Sequence, residues 1–138
     1  MVEPTLALQT AVHASLTASP AVTALVLPEH IRAGGGTRPD EFPCIRISDG
    51  DCAMLGRAAG GQFIASVALD LHVWTAAGSL QQAKEIGAAV ARVLMDWPLS
   101  QDVQIDNFKH VTTAWSRDPK DDCGHGILSV EAVVRWRL

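Results

Sequence analysis

The side chains that could do chemistry are scattered along this chain. The five histidines are His13, His30, His72, His110 and His125. No two stand four apart, the spacing that would put paired ligands on one helix face. Cys123-Gly-His125 could offer two zinc ligands, but a structural site takes about four, at spacings such as C-x2-4-C. Cys44 and Cys52 do not complete such a set. Asp49-Gly-Asp51 and the group Asp118, Asp121 and Asp122 lack the pattern of a calcium loop. Turns explain them well enough. Gly34–Gly36 has neither the lysine nor the following helix of a phosphate cradle. No serine stands in a G-x-S-x-G elbow, although a Ser–His–Asp set is recognised by geometry and not by order. These patterns point to no enzyme, no cofactor and no metal.

The bulk properties agree with a plain globular chain. At 138 residues the expectation is one domain over 1–138, large enough to hold a core without disulfide or metal. A net charge of −4 argues against a general nucleic-acid binder. Three irregularly spaced cysteines, an odd number, read as reduced thiols. "MVEPTLALQT" lacks the start of a signal peptide. No apolar run reaches the roughly 18 residues of a membrane span.

The elements follow from periodicity. Residues 4–17 carry Leu8, Ala11, Val12, Ser15 and Leu16 on one stripe after Pro4, which suits a first helical turn. Ser19 is positioned to cap a second, short helix over 20–26. Short strands are expected at 29–33 and 44–48, around a glycine- and proline-rich loop at 33–43. Residues 62–74 alternate cleanly, with Phe63, Ala65, Val67, Leu69, Leu71 and Val73 on one face. Ser79 and Gln82 form a capping box for a helix with stripe Leu80, Ala83, Gly87, Val90, Leu94 and Trp97. Leu71, Val73, Val90 and Leu94 are expected in the core. Residues 103–116 and 126–138 complete a long hairpin. The class is α+β, a single domain with a mixed or antiparallel sheet of about four to five strands and helices packed on it. The order is α-α-β-β-β-α-β-β.

Two places suggest contacts. Residues 49–61 read as a loop longer than a hairpin needs, carrying Met54, Leu55 and Arg57 among glycine and alanine. Apolar side chains there would either order against a partner or tuck under the sheet. Trp136 lies between Arg135 and Arg137, and tryptophan and arginine are enriched as interface anchors. The candidate interface is Met54, Leu55, Arg57, Arg135, Trp136 and Arg137.

Several stretches resemble one family. They are "PTLALQTAVHASLTASPAVTALV", Phe42-Pro43 before a strand, "LDLHVWTAAGSLQQAKEIGAAVARVL", and a closing hairpin after a turn with Asp-Pro. In this order they are similar to the tail terminator, or tail-completion and head–tail joining, proteins of long-tailed phages, prophages and gene transfer agents. The chain departs from the pattern in its glycine-rich 33–43 loop and in having no tyrosine. The resemblance implies a structural virion protein of the tail, assembled in the bacterial host cytoplasm. It implies a ring, a hexamer in this family, that caps the head-proximal end of the tail tube, stops its polymerisation and joins tail to head. The implied partners are further copies of the chain, the tail tube protein and a head–tail connector protein. DNA would pass through the lumen without sequence-specific binding, and no membrane is involved. Two other readings stay open: another ring of the head–tail connector, and a small-ligand-binding or hydrolytic α+β domain. The last would show a pocket with convergent polar groups.

Overall fold

The computed structural model describes residues 2–34, 39–76, 80–118 and 123–137. The elements are α1 (Pro4–Thr17), α2 (Pro20–Thr23), β1 (Ile31–Ala33), β2 (Cys44–Ile47), β3 (Asp51–Ala58), β4 (Gln62–Thr75), α3 (Leu80–Val93), β5 (Gln104–Phe108), β6 (Thr112–Asp118) and β7 (Cys123–Arg137). Single 3-10 turns lie at Pro28–His30 and Pro39–Glu41. The class is α+β as expected, with seven strands in place of four to five.

The sheet is built on one long antiparallel ladder. β4 and β7 pair from Gln62↔Arg137 to Thr75↔Gly124, roughly 45 Å at about 3.3 Å per residue. Each outer side of this pair is shared by two shorter strands. On β4, β3 covers the half near Gln62 and β2 the half near Thr75. On β7, β5 covers the half near Arg137 and β6 the half near Cys123. β1 joins β2 in parallel. The sheet thus has two ends: a tip, with row order β3-β4-β7-β5, and a base, with order β1-β2-β4-β7-β6.

One face is the core. The alternation read in 62–74 places Ala65, Val67, Leu69, Leu71 and Val73 on it, paired with Val134, Ala132, Val130, Leu128 and Gly126 of β7. Burial of this apolar face beneath α1 and α3 is what drives the strands to pair with this register and no other, since a one-residue slip would turn every side chain out. α1 contributes Ala7, Leu8, Ala11, Val12 and Leu16. The Glu3 carboxylate accepts from the Leu6 amide at 2.8 Å and caps its first turn. α2 is shorter than 20–26 because it ends at Thr23. Ser19 does occupy its N-cap, but through the backbone: the side chain makes no capping bond.

α3 buries Ala83, Ile86, Gly87 and Val90, and Leu94 just beyond it. The expected core residues Leu71, Val73, Val90 and Leu94 are all 2% exposed or less. Trp97 corrects the expected stripe. The helix stops at Val93, so its period no longer holds there, and Trp97 is 47% exposed. Trp97→Ala should therefore leave folding stability within about 0.5 kcal/mol in a denaturant melt, where Leu94→Ala should cost about 2–5 kcal/mol. The capping box falls partly on Ser79, outside the described residues, as do Asp121 and Asp122 of the acidic turn.

Gly87 has a specific partner. A Cβ placed on it would lie 2.3 Å from Cη2 of Trp115 on β6, and one on Gly126 of β7 would lie 2.5 Å from Cζ3 of the same ring. The Trp115 indole is held in a slot between two glycines, one on the helix and one on the sheet.

Two expectations change. Residues 49–61 are no long loop: Asp51–Ala58 is strand β3, joined to β4 by a short turn in which Gly60 and Gly61 take φ of +79° and +71°. Glycine suits that left-handed backbone without strain. Nor do Met54 and Leu55 tuck under the sheet; both stay more than half exposed. Residues 103–116 are two strands, β5 and β6, each paired with β7.

Candidate interaction surface

The tip of the sheet gathers all six residues proposed from sequence. The register Gly56↔Ile64, Ile64↔Arg135 and Gln104↔Arg135 forms one row across four strands. On the helix-bearing face, Arg57 pairs with Phe63 and Phe63 with Trp136. The Phe63 and Trp136 rings are 6.0 Å apart, and the Arg57 guanidinium sits 5.5 Å from the Phe63 centroid, a cation–π contact. Both rings are only half-buried. Met54, opposite Ala65, is 57% exposed, and Leu55 in the adjoining bulge is 58% exposed. Sequence reasoning missed Phe63 because the clean alternation of β4 assigns it to the core.

Arg135 and Arg137 belong to the other face, opposite Ile64 and Gln62. Arg135 is already engaged. Its Nε and Nη2 donate to the two oxygens of Asp106 at 2.9 and 3.0 Å, and its Nη1 donates to Gln62 Oε1 at 2.8 Å. This fork ties β5, β7 and β4 together, and it holds the Asp106 carboxyl below its ordinary pKa. Arg135 is thus a clamp within the chain, whereas Arg57 and Arg137 have no ion pair among the described residues.

At the base, the same face carries an aromatic stack. Phe42 lies parallel to Trp74 at 6.2 Å, Trp74 to His125 at 3.8 Å, and His125 to His72 at 5.1 Å. His72 Nδ1 and His125 Nε2 are 2.9 Å apart, so one ring donates and the other accepts. Arg46 lies opposite His72, and its Nε is buried with no hydrogen-bond partner among the described residues.

Of the three cysteines, Cys44 and Cys123 are buried and Cys52, on β3, is exposed. Burial pushes the Cys44 thiol up to about 11, with the Arg46 charge opposing and Glu41 adding to it. A thiol with that value is almost wholly protonated and unreactive at neutral pH. Maleimide labelling of the native protein is therefore expected to modify Cys52 first, with Cys44 and Cys123 reacting only after denaturation. Rapid labelling of Cys44 in the native state would contradict this burial.

Among the described residues, no group of three or more His, Cys, Asp or Glu could hold a metal, and no helix is long and apolar enough to cross a membrane. A cleft of about 400 Å³ between α1 and β1 is lined by Leu6, Gln9, Thr10, His13, Ile31 and Arg32. Its histidine is occupied, donating from Nε2 to the Ile31 carbonyl at 2.9 Å. Gln9 likewise donates to the Ser48 carbonyl at 2.6 Å, and Arg32 pairs with Glu41.

The fold is shared with solved structures. A chain in the virion of a native gene transfer agent particle matches with a TM-score of 0.75 at 23% identity, over 94% of this chain and 95% of that one. The bacteriophage SPP1 gp17 protein matches with a TM-score of 0.57 at 21% identity, over 94% and 89%. Curated proteins yield no match. At the level of sequence, residues 10–135 match the profile of tail completion protein gp17. That span runs from the middle of α1 to within two residues of the end of β7 and reaches every strand of the sheet, so the chain belongs to the tail completion protein gp17 family.

Proposed function

We propose that this chain is a structural component of a virion tail that closes the head-proximal end of the tail tube as a ring, stops tube growth and joins tail to head. The observation that carries the reading is the family match over residues 10–135. Its working parts are surfaces and not a reactive centre. A ring made of one protein needs a contact between two different patches, repeated by rotation until it closes. The tip supplies one patch suited to this, with Met54, Leu55 and Arg57 on β3 and Trp136 on β7, on either side of β4. Arg137 on the opposite face adds charge at the same end. The ring's partners in this reading are further copies, six in all as the family resemblance implies, together with the tail tube protein and a head–tail connector protein. DNA passes through the opening without base recognition.

The test is to replace residues 53–58 with a short Gly-Ser linker and to assay particle assembly. The expected outcome is a folded subunit that fails to cap, giving tubes beyond their set length or heads and tails left unjoined. Joined particles with tails of normal length would sink the assignment of the tip. Loss of folding, seen as loss of the cooperative melt, would show that β3 is needed for stability. The point changes Met54→Ser and Leu55→Ser, which leave the ladder intact, would then decide.

A further inference from the structure

We propose that the segment 95–102, between α3 and β5, is the surface on which the β3 tip of a neighbouring copy docks. The inference rests on the ring reading above and names both sides of the contact. Met95, Trp97 and Leu99 are 60%, 47% and 90% exposed, three large apolar side chains facing solvent within five residues, and Leu99 is the most exposed large apolar side chain among the described residues. Contiguous exposure of this kind marks an interaction site.

Placement in the sheet is the second argument. Segment 95–102 feeds into β5, whose first residue Gln104 stands in the same row as Gly56 of β3, across Ile64 and Arg135. The segment therefore enters the sheet level with Gly56, at the far edge of a four-stranded tip about 14 Å wide at 4.8 Å per strand. A head-to-tail contact that closes into a ring requires two unlike patches on opposite sides of one subunit, without an offset along the ring axis. The strand directions also allow it. β3 is antiparallel to β4, β4 to β7 and β7 to β5, so β3 and β5 run in opposite directions. A neighbouring copy in the same orientation brings its β3 alongside β5 with the antiparallel alternation unbroken.

Charge is the third argument. The tip carries Arg57 and Arg137, and segment 95–102 carries Asp96 and Asp102. None of the four has an ion-pair partner among the described residues of its own chain. Unlike charges flanking two apolar patches fix which surfaces meet and in what orientation. A second copy answers both patches at once, which is why it is the occupant proposed here.

The experiment uses a Cys52→Ser background, since Cys44 and Cys123 are buried. Chains carrying Met54→Cys are mixed with chains carrying Leu99→Cys, on isolated tail tubes and free in solution, and treated with a short bismaleimide. The expected result is a cross-linked dimer in the mixture and neither variant cross-linked alone. A chain carrying both changes should give a ladder up to the ring. In parallel, Arg57→Glu should abolish rings in negative-stain images and Asp96→Lys with Asp102→Lys should restore them when present in the same chain. All these positions are exposed, and an unchanged melting temperature confirms folding. Rings without the cross-link, or without rescue by the charge swap, overturn this contact and leave the ring reading standing. A wild-type chain that forms no ring on tubes or in solution overturns both.

Discussion

Leu71→Ala is expected to destabilise the fold by about 2–5 kcal/mol, toward the upper end for a leucine truncation. Leu71 is fully buried at the middle of β4, with Ile47 of β2 on one side and Leu128 of β7 on the other. Both flanking strands are fixed by their own ladders and α1 and α3 cover the face, so little can move to fill the space. A cavity that cannot collapse adds to the lost transfer energy. Urea titration should show a lower midpoint with an unchanged slope. Leu55→Ala, on the same sheet but exposed, is the control and should change the stability by less than about 0.5 kcal/mol. A loss below about 1 kcal/mol for Leu71→Ala would mean that the core face has been assigned wrongly.

Gly87→Ala is expected to destabilise as well, against the usual rule. In an ordinary helix interior the change gains about 1 kcal/mol. Here the new methyl would sit 2.3 Å from Trp115 Cη2, and the far side of the ring is already so close to Gly126 that even a Cβ there would lie 2.5 Å from Cζ3, so the indole has little room to retreat. Overpacking of this kind costs typically 1–3 kcal/mol, and the rigidity of the indole argues that it outweighs the propensity gain. Trp115→Leu in the same chain should recover most of the loss, since it empties the slot. A Gly87→Ala variant that melts higher than the wild type would show that α3 rides free of β6.

What could be read from the sequence depended on whether a segment buries one face. β4 and α1 were legible to within a residue or so, because the periods of two and 3.6 are imposed by the core they share. β3 was not. Its side chains are exposed from Asp51 to Arg57, so no alternation is selected, and its pairing is made by backbone. Glycines that looked like loop chemistry serve a bulge at Gly56 and a tight turn at Gly60 and Gly61. β5 hid for a different reason. A register shift between Ile105 and Asn107 puts Ile105 and Phe108 on the same face, opposite Val134 and Ala132, and breaks the parity that sequence reading follows. Trp97 was misplaced by continuing a helical period past Val93. As for the tip, Met54, Leu55 and Arg57 and the Arg135–Arg137 triplet were found separately, from composition alone. That they lie together is a consequence of topology, which no local pattern encodes.

The strand at the centre of the sheet follows all the others in the chain, and this sets the order in which the molecule can fold. β3 and β4 are joined by a short turn and can form a hairpin early, within microseconds for a structure of that size. β7 must instead find partners far back in the chain: 49 residues separate Thr75 from Gly124 and 73 separate Gln62 from Arg135. Closing such long loops before the contacts reward it is what makes sheets of high contact order slow, on the scale of milliseconds to seconds. Until β7 arrives, β5 and β6 have nothing to pair with and the inner side of β4 stands open. During synthesis on the ribosome that open edge persists until residues 123–137 emerge, and it is then that the chain is most exposed to aggregation.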